Sequence, residues 1–141
     1  METVVNKLEW LFAGFVTFVS WYFGGADGFL YALIALTVTD YITGMIAAWV
    51  NNRLSSSIGF KGIGKKVGIF AIVGVTHVLD AQLLGHGEVL RNMTIFYYLA
   101  NEGISILENA VEMGIQVPDF LKEKLSQIRN DPQRLNKQEL M

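Results

Sequence analysis

The sequence predicts an all-α integral membrane protein with about four helical spans and a short cytoplasmic C-terminal helix. Three observations carry this. Hydrophobic residues make up 52% of the 141-residue chain and charged residues only 17%, against about 25% in an ordinary soluble domain. The charges are unevenly spread: of 11 Lys and Arg and 13 Asp and Glu, ten fall within residues 112–139. Residues 10–26, 28–39 and 41–52 carry none. A soluble chain of this length buries one core but cannot cover several such stretches with polar surface. The net charge of −2 gives no basic field for nucleic acid. With no cysteine, disulfides, thiol nucleophiles and thiolate metal sites are excluded.

Segment one, residues 8–23, ends at the glycine cluster Gly24, Gly25 and Gly28. Its leading region holds one Lys and two Glu, weakly basic at best, so it reads as a retained span rather than a signal peptide. Segment two, 29–50, is interrupted only by Asp40. A polar loop, 51–66, precedes segment three, 67–84, which carries His77 and Asp80. After a short turn containing His86, segment four runs over 89–113. At 1.5 Å rise per residue, the first three just cross a core of about 30 Å. Residues 1–114 then form a transmembrane unit and 115–141 a charged cytoplasmic tail. Pro118 should break the chain before a helix over 119–129, with Leu121, Leu125 and Ile128 on one face. Residues 131–141 should be mobile.

Orientation follows from Lys and Arg. The loop 51–66 holds Arg53, Lys61, Lys65 and Lys66 without an acid, and the tail is also basic. The other two turns have neither Lys nor Arg, so four crossings put both termini in the cytoplasm. Three spans plus an amphipathic surface helix are the alternative. Arg53, Lys61, Lys65 and Lys66 should fix topology and touch anionic head groups. The glycines of this loop do not form a phosphate loop, because Gly-x-x-x-x-Gly-Lys-Ser/Thr is absent.

Asp40, His77 and Asp80 are polar residues placed inside the membrane, where a charge is costly and usually has a partner or a function. A structural hydrogen bond is the plainer reading of Asp40. Gly44 with Ala48, and Gly64 with Gly68, have the small-xxx-small spacing that lets helices approach. His77 and Asp80 share a helical face, but two donors make no metal shell, and no metal or cofactor is expected. Asp40 and His77 each lie about ten residues from the cytoplasmic end of their segments, so they should meet across a helical hairpin. On segment four, Arg91, Thr94, Tyr98, Asn101, Glu102, Ser105, Glu108, Asn109 and Glu112 recur in steps of three and four and form one stripe. The stripe lines water or an oligomer interior, belongs to a helix lying flat at the interface, or is a structural bundle face. Glu102, at its centre, is level with Asp40. No serine–histidine arrangement is present, and the chain does not read as an enzyme.

The string TDYITGMIAAWVNNRLSSSIGFKGIGKKVGIFAIVGVTHVLD, followed by FYYLANEGISILENAVEMGIQVPDFLKEKL, resembles the toxin-secretion/phage-lysis holin family of clostridial and other Gram-positive bacteria and their phages. The similarity covers residues 39–125. Its marks, in order, are Asp-Tyr-Ile-Thr-Gly, the Ser-Ser-x-x-Gly-x-Lys-Gly loop with Lys65-Lys66, and Asn-Glu-x-x-Ser-Ile-x-Glu-Asn. The resemblance implies a small homo-oligomer in the cytoplasmic membrane of a Gram-positive host. It would open lesions that release a phage endolysin or a large toxin, causing host-cell lysis or export. The implied partners are further copies of the chain and a bilayer with anionic lipids, the endolysin or toxin being cargo. No catalytic residue is implied. A small proton-coupled transporter or ion channel using Asp40 and Glu102 is the alternative, and a membrane anchor the third.

Overall fold

A computed structural model describes residues 1–85 and 87–130, so His86 and the expected mobile residues 131–141 lie outside the described residues. Among the described residues the regular elements are all helices: α1 Glu2–Phe23, α2 Gly28–Val50, α3 Ser56–Gln82, α4 Val89–Glu112 and α5 Asp119–Asn130. Of these, α2 and α3 are long and apolar enough to cross a membrane.

The helix ends follow from capping chemistry. Gly24 takes φ 77° after α1, a left-handed position that suits glycine at a helix C-terminus. The Asp27 carboxylate accepts from the Leu30 N–H at 2.9 Å and starts α2. Ser55 accepts from the Ile58 N–H at 3.2 Å and starts α3. That cap overturns one expectation: α3 begins eleven residues before Val67, and most of the basic glycine-containing loop is helix. Gly59 and Gly62 do not break it because they are packing positions. A Cβ on Gly59 would lie 3.4 Å from the Tyr41 hydroxyl, and one on Gly62 3.2 Å from the Tyr41 ring. Gly64 and Gly68 have nothing within 4 Å of such a Cβ, so the close packing expected there falls on Gly59 and Gly62 instead. After Pro118, whose carbonyl accepts from the Leu121 N–H at 3.2 Å, α5 begins at Asp119.

α4 lies at the centre. It runs parallel to α2, from the edge-on Phe29–Phe96 ring pair at 4.9 Å to the Asn51 side chain donating to the Glu112 carbonyl at 3.2 Å. It also packs on α3, and α5 folds back along it, placing Leu125 against Gly103. Leu33, Ile69, Val73 and Ile95 form the buried core between α2, α3 and α4. α1 has no buried residue and meets α3 only near its last turn, where the Tyr22 hydroxyl donates to the Ala71 carbonyl at 2.9 Å.

Candidate functional site

Three helices bring one cation and two carboxylates together. Asp40 lies ten residues before the end of α2, Lys66 ten after the start of α3, and Glu102 ten before the end of α4. All three therefore stand about 15 Å from the same end of the bundle. The Lys66 ammonium donates to Asp40 Oδ2 and to Glu102 Oε2. Asp40 is 8% exposed and Glu102 2%. Asn109 completes the group: its Nδ2 donates to Asp40 Oδ1 at 2.9 Å and to Thr43 Oγ1 at 3.0 Å. Gly44 lies beside that amide, where a Cβ would be in ordinary contact at 3.5 Å. Ala48, one turn further on, is buried. With both carboxylates ionised the cluster holds one more negative than positive charge. Beside it, a cleft of about 750 Å³ is lined by Lys61, Lys65, Tyr98, Asn101 and Ser105.

Asp40 therefore does not meet His77. The level count was sound, but it started α3 at Val67. From Ser56, the residue ten positions in is Lys66, and His77 is twenty-one in. His77 packs on Gly24 at the other end of the bundle, and its Nδ1 is buried without a hydrogen-bond partner among the described residues. Lys66 is likewise withdrawn from the role expected of it: its ammonium is inside the bundle, whereas Lys61 and Lys65 are exposed.

A second polar group stands at that far end. Arg91 is fully buried. It donates to the Phe23 and Gly25 carbonyls at 2.6 and 3.1 Å and to both Asp27 oxygens at 2.7 and 3.1 Å. These bonds hold the Asp27 carboxyl below its ordinary pKa against the opposing effect of burial. Asp80, 1% exposed, accepts from the Leu90 and Arg91 N–H groups at 3.2 and 2.8 Å and so caps α4. The α4 stripe is thus divided among partners. Arg91 serves the α1–α2 turn, Glu102 and Asn109 the central cluster, and Glu112 an exposed pair with Arg53 at 2.8 Å. Thr94 bonds its own helix at Leu90, and Glu108 is exposed.

Residues 17–130 match the bacteriophage holin family. The chain belongs to that family. Relatives include a protein of Bacillus phage phi105 described as a probable holin, 34% identical over 110 residues, 78% of this chain and 81% of the relative. An uncharacterized protein of Listeria monocytogenes is 45% identical over 109 residues, 77% of each chain. A 14.9 kDa protein of Clostridium perfringens is 37% identical over 131 residues, 92% of this chain and 98% of its own length. No solved structure matches. Family membership makes this holin a membrane protein, and holins are not enzymes. In lipid an apolar side chain gains little by moving from acyl chains to a helix interface. Tight packing and the polar clusters therefore hold α2, α3 and α4 together. Lys66 was the residue that sequence reasoning misplaced; the Ser55 cap, counted forward eleven residues, is the signal that finds it.

Proposed function

We propose that this holin homo-oligomerises in the cytoplasmic membrane of a Gram-positive host and opens lesions through which an endolysin or a large toxin leaves. α1 to α4 are the four spans, and both termini face the cytoplasm. Residues 1–114 form the spanning unit. The region from 115 onward is the tail, whose first helix, α5, turns back along α4.

The observation that carries this is the unequal outer surface. α1, α2 and α3 present Trp10, Phe15, Ile42, Val67 and Val75 outward, whereas α4 exposes no large hydrophobic residue from Tyr98 to Ala110. α5 turns Glu123 and Lys124 outward beside it. Leu125 packs at Gly103, nine residues in from Glu112, so α5 reaches about 13 Å along α4. With α2 as a span, that charged face lies within the membrane thickness. A charge facing lipid costs roughly 2.5–3.5 kcal/mol at the bilayer centre, so the α4–α5 flank needs water. Copies with these flanks inward and α1–α3 outward enclose an aqueous lumen. Tyr98, Asn101, Ser105 and Glu108 then line it, and the Asp40–Lys66–Glu102 cluster holds α4 in the closed arrangement. Arg53, Lys61 and Lys65 meet anionic head groups of the inner leaflet.

Liposomes of anionic lipid, loaded with a folded cell-wall hydrolase and a small dye, test this. The pure protein should release both. Release of dye or ions alone points instead to a small transporter or channel built on Asp40 and Glu102, and release of neither to an anchor.

A further inference from the structure

We propose that the closed bundle carries one proton on the Asp40–Glu102 pair, exchanged with the cytoplasmic side alone, and that losing this proton opens the lesion. The proposal rests on the holin reading above and names how its central cluster is regulated. Lys66 donates to one oxygen of each carboxylate, and both acids are buried. They therefore face each other across a single ammonium, within hydrogen-bonding reach of one another. Two carboxylates at one site resist ionising together, and at membrane depth an excess charge is costly. One proton makes the cluster neutral while Lys66 keeps both bonds. In the open arrangement the acids part and exchange Lys66 for water, where carboxyls are ordinarily ionised at pH 7. The closed arrangement thus holds the proton more tightly, and on opening the proton passes to water. Acid at the site keeps the bundle closed, and alkali releases it.

The fold gives that proton one route. The cleft beside the cluster is lined from Ile58, two residues into α3, through the exposed Lys61 and Lys65 to Asp40 and Glu102. Its mouth lies at the end of the bundle that holds Arg53, the cytoplasmic end, and water entering there reaches both acids. In the other direction the bundle is sealed. Leu33 lies seventeen residues before the end of α2, Val73 seventeen after the start of α3 and Ile95 seventeen before the end of α4. All three are fully buried. They form one apolar layer about 10 Å beyond the cluster, and such a layer excludes both ions and water. His77, Asp80, Arg91 and Asp27 all stand on its far side. On the near side, the other titratable groups facing the cleft are Tyr41 of α2, Lys61 and Lys65 of α3 and Tyr98 of α4, and α5 lends none. Lysine and tyrosine ordinarily titrate above about pH 9, which leaves the two acids to answer to pH near neutrality.

Liposomes with a different pH on each side test this. Vesicles holding the pure protein with a C-terminal tag, loaded with dye and the folded hydrolase, are collected on the tag so that the cytoplasmic face is outward. One proton shifts an equilibrium by at most about tenfold per pH unit. From pH 6 on both sides, raising the outside to about pH 8 should speed initial release roughly ten- to a hundredfold. Loading the inside at the higher pH, with the outside acid, should change it less than about twofold. Glu102→Gln and Asp40→Asn should each remove the response, the first releasing slowly at every pH, and His77→Gln should keep it. Equal responses from the two sides, faster release in acid, a full response in Glu102→Gln, or its loss in His77→Gln overturns the proposal. Melting in detergent reads the proton site without the lesion. The parent's midpoint should fall relative to that of Glu102→Gln as pH rises over the same range, and a constant difference overturns the site. Release that ignores pH refutes the proton site and leaves the holin function. No release at any pH, with the midpoints still diverging, does the reverse.

Discussion

Arg91 and Lys66 are both cations drawn into the bundle, and their surroundings are balanced differently. The Arg91 guanidinium makes five hydrogen bonds, to Phe23, Gly25, Asn92 and both oxygens of Asp27. That matches its five N–H donors, and of its two acidic neighbours Asp27 is hydrogen-bonded while the exposed Glu88 stands 3.8 Å away. Lys66 faces two carboxylates with one charge. A cluster whose donors are all engaged has no better arrangement to move to, so it fixes the α1–α2 turn against α4. An unbalanced one has alternatives in which a carboxylate exchanges Lys66 for a proton or water. The first is a fastening and the second a latch, and mutations should separate them.

The largest effect is expected at the fastening. Arg91→Met leaves Asp27 and two carbonyls without their donor, and each lost partner costs about 1–3 kcal/mol. Thermal unfolding in detergent should show a large fall in midpoint, and the protein should fail to accumulate in membranes. Arg91→Lys should not rescue it, because an ammonium cannot reproduce the fork onto Asp27. Normal accumulation of Arg91→Met would erase the contrast between the clusters.

At the latch the fold should survive and the timing change. Lys66→Met leaves Asp40 and Glu102 facing each other, a loss of about 1–3 kcal/mol, and lysis in an inducible host should come early. Glu102→Gln keeps an acceptor for Lys66 and balances the charge, so lysis should come late at normal protein levels. Glu102→Leu makes the middle of the stripe apolar and should prevent lysis while protein still accumulates. Ile104→Gln, on a buried apolar position of the same helix, is the control and should lower stability instead.

The smallest effect concerns pH. Because Arg91 lowers the folded-state pKa of Asp27, its contribution is complete above the ordinary carboxylate range and is lost as pH falls through the lowered value. Asp27 is partly exposed, so the change is small. Melting midpoints of the parent and Asp27→Asn should differ at neutral pH and converge in acid. A constant difference down to low pH would show that Asp27 acts through the α2 cap alone.

Much of the fold was legible because apolar runs and glycine or proline punctuation are local signals. The end of α1, both ends of α2, α4 and the start of α5 after Pro118 lie within a residue or so of where the pattern puts them. The start of α3 was not legible, because glycines among lysines read as a loop until Tyr41 is known to press on Gly59 and Gly62. That error alone exchanged Lys66 for His77 as the partner of Asp40. The stripe on α4 was visible, but its partners depend on how the neighbouring helices are rotated, which periodicity does not specify. Asp80 was visible as a buried acid, but its use as the cap of the next helix depends on the turn at 83–88 bringing α4 back to it.

Access of water to the α4–α5 flank is the most direct measurement. Single cysteines at Ser105, Gln127, Ile42 and Val75, in protein reconstituted into liposomes, are exposed on both sides to a charged maleimide that does not enter lipid. Ser105→Cys and Gln127→Cys should label rapidly, while Ile42→Cys and Val75→Cys stay protected. Protection of Ser105→Cys and Gln127→Cys, with normal insertion, would place that flank against lipid or protein and contradict an aqueous lumen lined by α4 and α5.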